Sequence, residues 1–214
     1  MFKKYLAEFF GTFLIVLFGC GAIVINQTYN GVVTHFGVSL TFGVIVCIVI
    51  YLFKKQSTHF NPAVSITLFA NKQLSLKHLL YYVLFQVLGG IFAALILKLF
   101  FHQNSLLGAT MPSGSCWQSF VLEFILTFLL LVLIFMLDKN PTKYAGIYIG
   151  ALIFFEAYLV GPICGASMNP ARSIAPALVS GHLEHLWIYI FAPISGGLVA
   201  LLFFKQTPSA NKKL

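Results

Sequence analysis

The chain has 214 residues, of which 59% are hydrophobic, 16% aromatic and 8% charged, with a formal net charge of +8. So little charge excludes a water-soluble globule of this length. The apolar runs are long and continuous rather than alternating, so the backbone must satisfy itself as membrane-spanning helices and not as a closed barrel.

In chain order, a first span is expected over 5–26. Its start, MFKKYLAEFFGTFLIVLFG, has the basic opening and apolar run of a secretory leader, but Glu8 and the unbroken length argue against cleavage. A second span covers 35–53. Then the stretch HFNPAVSI, His59 to Ile66, interrupts the apolar chain. Pro62 suits the first position of a helix, where its missing N–H would be unbonded anyway, and Asn61 then serves as N-cap. The run from Pro62 to about Ala70 is too short to cross hydrocarbon, so it is a half-helix. Spans over 76–101, 117–137 and 144–160 follow. The stretch MNPARSI, Met168 to Ile174, then repeats the interruption, with Asn169 capping a second half-helix from Pro170 to about Val179. A sixth span covers 185–204. Broken backbone at membrane depth is tolerated only inside protein or beside a wet cavity.

The chain repeats itself. Glu8-Phe9 with Thr12-Phe13-Leu14 recurs as Glu123-Phe124 with Thr127-Phe128-Leu129, and Gly89-Gly90 recurs as Gly196-Gly197. Three spans per half is an odd number, so the halves sit in opposite orientations about a pseudo-two-fold axis in the membrane plane. The organisation expected is one domain, with a first repeat over about 1–102, a second over about 116–205, and a cytoplasmic tail over 206–214. Two half-helices then enter from opposite faces, each aiming a positive dipole end at the midplane.

Basic residues alternate by loop. Lys3 and Lys4, then Lys54, Lys55, Lys72 and Lys77, then Lys139 and Lys143, then Lys205, Lys212 and Lys213 fall on one side, while the loops at 27–34 and 103–116 hold none. The positive-inside rule places both termini in the cytoplasm, and the net charge is a topology signal rather than a nucleic-acid footprint. Cys20, Cys47, Cys116 and Cys164 have no spacing that reads as a disulfide framework or metal site.

With both Asn-Pro-Ala boxes and Arg172 directly after the second, the whole chain resembles the aquaporins, the major intrinsic protein family. That resemblance implies an all-α membrane fold of six tilted helices plus two re-entrant half-helices around one pore per subunit. It also implies a homotetramer in the plasma or inner membrane, no cofactor and no metal, and water with small neutral solutes as the molecules handled. Asn61, Pro62, Ala63, Asn169, Pro170 and Ala171 would form the pore centre. By the family's spacing, Phe42, Ala157, Ala166 and Arg172 would form the selectivity filter.

The chemistry is arguable beside the resemblance. The Asn61 and Asn169 amides offer donors to a passing oxygen, with backbone carbonyls of 58–60 and 164–168 as acceptors. Glu8 and Glu123, costly in lipid unless hydrogen-bonded, are expected to accept from N–H groups of the loops before the half-helices. Glu156 either braces the outer loop or adds charge near the mouth. His59 is expected against the pore wall, and His35, His102, His182 and His185 are read as loop or interface residues. An ion-coupled transporter would carry more ionisable residues at its substrate site. No metal cluster or nucleophile–base constellation points to an enzyme.

The filter leaves two solute ranges open. Water-selective members commonly carry His where Ala157 stands, whereas Phe42, Ser173, Ala177 and Tyr189 match the water branch, and Ile190 replaces a usual Trp. The run GPICGASMNPARSIAPALVSG is most similar to the nodulin-like branch, whose wide filters pass water, glycerol and small uncharged hydroxides. A strict water channel is the alternative.

Overall fold

The computed structural model describes residues 2–206 and forms one all-helical bundle. Of the tail expected over 206–214, residues 207–214 lie outside the described residues, Lys212 and Lys213 among them. Helix α1 runs Phe2–Thr28 with a π-helical turn over Val16–Cys20, followed by α2 (Thr34–Phe53) and the short α3 (Pro62–Ala70). Then come α4 (Leu76–Phe100), α5 (Cys116–Lys139), α6 (Ala145–Cys164), the short α7 (Pro170–Ser180) and α8 (Leu186–Gln206).

Six of these are long and apolar enough to cross a membrane. The other two have 9 and 11 residues, which at ~1.5 Å per residue reaches only about half of a hydrocarbon layer. Their starts follow from local chemistry. Asn61 Oδ1 accepts from Ala63 N at 2.8 Å, and Asn169 Oδ1 accepts from Ala171 N at 3.1 Å and Arg172 N at 3.4 Å. Each cap satisfies donors that the helix itself leaves open, and each is followed by Pro at the first helical position. Gly165 (φ 90°) and Gly181 (φ 88°) close α6 and α7 in the left-handed conformation.

Packing repeats between the halves. Helix α1 lies along α4 as α5 lies along α8, and each half-helix docks on the last helix of the other half, α3 on α8 and α7 on α4. The glycines expected to mark the repeat explain how close the helices come. A Cβ on Gly89 would collide with the Phe9 carbonyl, and one on Gly196 with the Phe124 carbonyl. Helices α2 and α6, the middle spans of the two halves, meet each other glycine to glycine. There a Cβ on Gly43 would lie 2.6 Å from the Gly150 carbonyl oxygen, and one on Gly150 would lie 2.5 Å from that of Gly43.

Two features go beyond the sequence expectation. Helix α6 continues past residue 160 to Cys164, carrying Pro162 inside its last turn. Lys98, the one lysine near the outer end of a span, has its Nζ 3.0 Å from the Val179 carbonyl, so it tops the C-terminal end of α7, where a cation complements the helix dipole.

Candidate functional site

The site is built from the two loops that lead into the half-helices. Glu8, fully buried on α1, accepts from Ser57 Oγ (2.5 Å) and His59 N (3.0 Å) on one oxygen, and from Phe60 N (2.6 Å) and Gln86 Nε2 (2.7 Å) on the other. Glu123, at the matching place on α5 and equally buried, accepts from Ser167 N at 2.7 Å and Met168 N at 2.8 Å. Carboxylates are acceptors only, so loops whose N–H groups converge inward suit them.

Phe60 and Met168, the residues before the two asparagines, are held at φ 50° and 54°. That conformation costs a non-glycine residue about 1–2 kcal/mol. What holds it is a pair of ties. The N–H of each bonds the glutamate of its own half, and its carbonyl accepts the asparagine amide of the other half: Asn169 Nδ2 to Phe60 O at 2.8 Å, and Asn61 Nδ2 to Met168 O at 2.8 Å. An amide nitrogen carries two N–H groups, so each asparagine keeps one for a guest. The carbonyls of Phe60 and Met168 thus serve the asparagines as well as lining the path. Cys164, which the sequence reading placed among the path carbonyls, instead ends α6 inside the core.

One internal cavity of about 70 Å³ brings the expected residues together: Asn61, Asn169, Phe42, Ala157, Ala166 and Arg172 all line it. Pro62, Ala63, Pro170 and Ala171 are buried behind the asparagines as the first turns of α3 and α7. Below, the wall is apolar, from Val46 and Ile50 on α2 to Leu130 and Ile134 on α5, with His59 at its edge. His59 Nδ1 lies 3.0 Å from Ser65 Oγ and its ring meets Tyr82 edge-on.

Arg172 is 3% exposed. Its Nη1 donates to the Gly108 carbonyl at 2.9 Å and its Cζ lies 5.1 Å from the Phe42 ring centroid. Gly108 (φ 74°) sits against Cys20 of the π-helical turn, where a Cβ would come within 2.8 Å of Cys20 Cβ. Thr110 Oγ1 donates to Ser173 Oγ at 2.8 Å, which lies 2.5 Å from Ser167 Oγ. This outer-loop clamp, Gly108 with Thr110, was missed in the sequence, since the carbonyl of a loop glycine leaves no side-chain signal.

Beyond Phe42 the cavity adjoins a vestibule of about 370 Å³, lined by Asn26, Gln27, His35 and Ser39 together with Phe42, Ala157 and Ala166. His35, read as a loop or interface residue, instead lies in the first turn of α2 and faces this space. The signal was present: His35, Ser39 and Phe42 are spaced to share one helix face. Glu156 departs from both roles weighed for it. It is 5% exposed, and among the described residues neither of its oxygens has a hydrogen-bond partner, so it braces no outer loop; nor does it line either cavity.

The arrangement defines an all-helical bundle of six membrane-length helices and two half-helices around one central cavity. Residues 1–204 match the family model described as major intrinsic protein. Aquaporin NIP3-1 of Arabidopsis thaliana is 44% identical over 208 residues, covering 92% of this chain and 64% of its own length. Nodulin-26 of Glycine max is 35% identical over 217 residues, covering 99% of this chain and 80% of its own length. The chain thus spans a little under two thirds of the length of the first of these relatives. In fold it is similar to the X-ray structure of the aquaglyceroporin from Plasmodium falciparum, with a TM-score of 0.87, 24% identity and 96% of each chain covered. The chain belongs to the major intrinsic protein family.

Proposed function

We propose that the chain is a passive channel that conducts water and small uncharged solutes such as glycerol while excluding ions and protons. The observation that carries this is the single cavity on which both asparagine amides, Arg172, Phe42 and two alanines converge. Two facing amide donors hold an oxygen so that it cannot accept a proton from its neighbour, and the two half-helix N-termini repel cations. Asn61 and Asn169 mark the pore centre, and Phe42, Ala157, Ala166 and Arg172 the filter. Glu8 and Glu123 hold the loops between them. Printed names of relatives, aquaporin and aquaglyceroporin, accord with that solute range. The working unit is a homotetramer in a plasma or inner membrane with both termini cytoplasmic, supported by the lysine distribution and by the lipid-ready apolar residues exposed along α2, α4 and α5.

A strict water channel is the second reading, favoured by the Arg172 guanidinium lying over the Phe42 ring. Stopped-flow light scattering on proteoliposomes in sucrose and glycerol gradients separates the two. Wild type is expected to pass both molecules. Ala157→His, which sets an imidazole where a methyl stands, should cut glycerol flux at least tenfold more than water flux. A wild type that passes water and rejects glycerol replaces the wide-filter reading with the strict one.

A further inference from the structure

Helix α6 carries Pro162 in its last turn. Proline has no N–H, so the carbonyl four residues earlier, that of Tyr158, loses its partner in the helix ladder. Near the end of the bundle that carbonyl is left one hydrogen bond short. The partner comes from another helix: His35 Nε2, in the first turn of α2, lies 2.8 Å from the Tyr158 carbonyl oxygen. A carbonyl only accepts, so Nε2 is the donor in this bond. The His35 ring also stacks on the Tyr158 ring, with centroids 5.4 Å apart and planes 16° apart.

The two helices joined by this bond carry opposite walls of the filter. Phe42 lies two turns below His35 on α2, and Ala157 is the residue before Tyr158 on α6; both line the central cavity and the vestibule. Deeper in the bundle α2 and α6 are already locked by the close approach of Gly43 and Gly150. Toward their outer ends the contact passes to side chains, with the Phe36 ring meeting the Phe154 and Tyr158 rings edge-on at 5.5 and 6.0 Å, and the vestibule opens beside them. We propose that His35 is a positioning residue for solute selection. Its bond to the carbonyl freed by Pro162 clasps the outer ends of α2 and α6, and so fixes the Phe42-to-Ala157 aperture that sets the largest uncharged polyol admitted.

The inference rests on the channel reading above, and water flux through wild type tests that reading separately. The probes are glycerol and the four-carbon polyol erythritol, read as a permeability ratio in proteoliposomes, with circular dichroism of the purified protein as the check on folding. His35→Phe keeps the ring and the stacking but has no donor; His35→Gln keeps an N–H. The glycerol-to-erythritol ratio is expected to fall at least threefold in His35→Phe and to return to within twofold of wild type in His35→Gln. If wild type passes neither polyol, the same clasp predicts that His35→Phe admits glycerol and His35→Gln does not.

Pro162→Ala gives a second and independent reading, because it returns the helix's own N–H to the Tyr158 carbonyl. In that background His35→Phe should change the ratio by less than half as much as it does alone, a coupling that a double-mutant cycle isolates. A His35→Phe ratio equal to wild type would overturn the clasp, as would additive effects of the two substitutions. A wild type that conducts no water would overturn the channel reading instead.

Discussion

Arg172 is the only arginine in the sequence, it is almost wholly buried, and a single carbonyl, that of Gly108, takes its Nη1. An unpaired cation at such depth costs several kcal/mol, so a residue kept there with no anionic partner among the described residues, only the Gly108 carbonyl and the Phe42 ring, is expected to act on what passes it. Arg172→Val should remove the fixed charge beside Phe42 and raise proton permeability at least several-fold, read with a pH-sensitive dye inside proteoliposomes. Wild-type proton tightness in that variant would show that Arg172 is not the barrier. The glutamates allow a graded test of stability. Each oxygen of Glu8 takes two donors, and each oxygen of Glu123 takes one among the bonds described. Glu8→Gln therefore turns an NH2 toward two donors whichever way the amide lies. At about 1.5–3 kcal/mol per hydrogen bond to a charged group, it should lower the melting temperature in detergent more than Glu123→Gln. The reverse order would show that the loop before α7 depends on its carboxylate more than the geometry implies.

Helices α1 with α4, and α5 with α8, meet where a glycine stands against a backbone carbonyl. A carbonyl within a helix cannot swing aside as a side chain does, so Gly89→Ala and Gly196→Ala should each destabilise by the ~1–3 kcal/mol typical of overpacking. Gly114→Ala is the control, since its nearest neighbour is the end of the Gln118 side chain at 3.2 Å. Equal melting temperatures for all three would place the helix contact elsewhere. These pairs were readable in advance because a repeat doubles every signal: Gly89 and Gly196, the two Asn-Pro-Ala starts and the two Glu-Phe openings each vouch for the other. Helix starts were legible through Asn61, Asn169 and their prolines, which act within one turn. The end of α6 was not, because Pro162 reads as a stop, whereas the donor it withholds from the Tyr158 carbonyl is supplied by His35, distant in sequence. The π-helical turn at Val16–Cys20 left no mark either; its Cys20 lies against Gly108 of a remote loop. The asparagine-to-carbonyl ties across the axis were hidden for the same reason, each joining residues more than 100 positions apart.

At the scale of the whole molecule, inversion places two like features face to face. Each half-helix N-terminus carries about +0.5 of a charge, and the two face one cavity from opposite sides, so the geometry predicts a cation barrier at the centre, shared by both halves. Asn61→Asp or Asn169→Asp would keep the cap, since a carboxylate accepts from Ala63 N or Ala171 N as the amide oxygen does. Each would lose the donor to Met168 O or Phe60 O, and each would set a negative charge against one dipole end. Cation conductance in planar bilayers should therefore rise in both variants, to values within about threefold of each other, with no rectification in either because the removed barrier sits on the symmetry axis. Leak in one variant alone would mean that the two halves, though built alike, do not share the work of exclusion; wild-type tightness in both would move the cation barrier from the asparagines to Arg172.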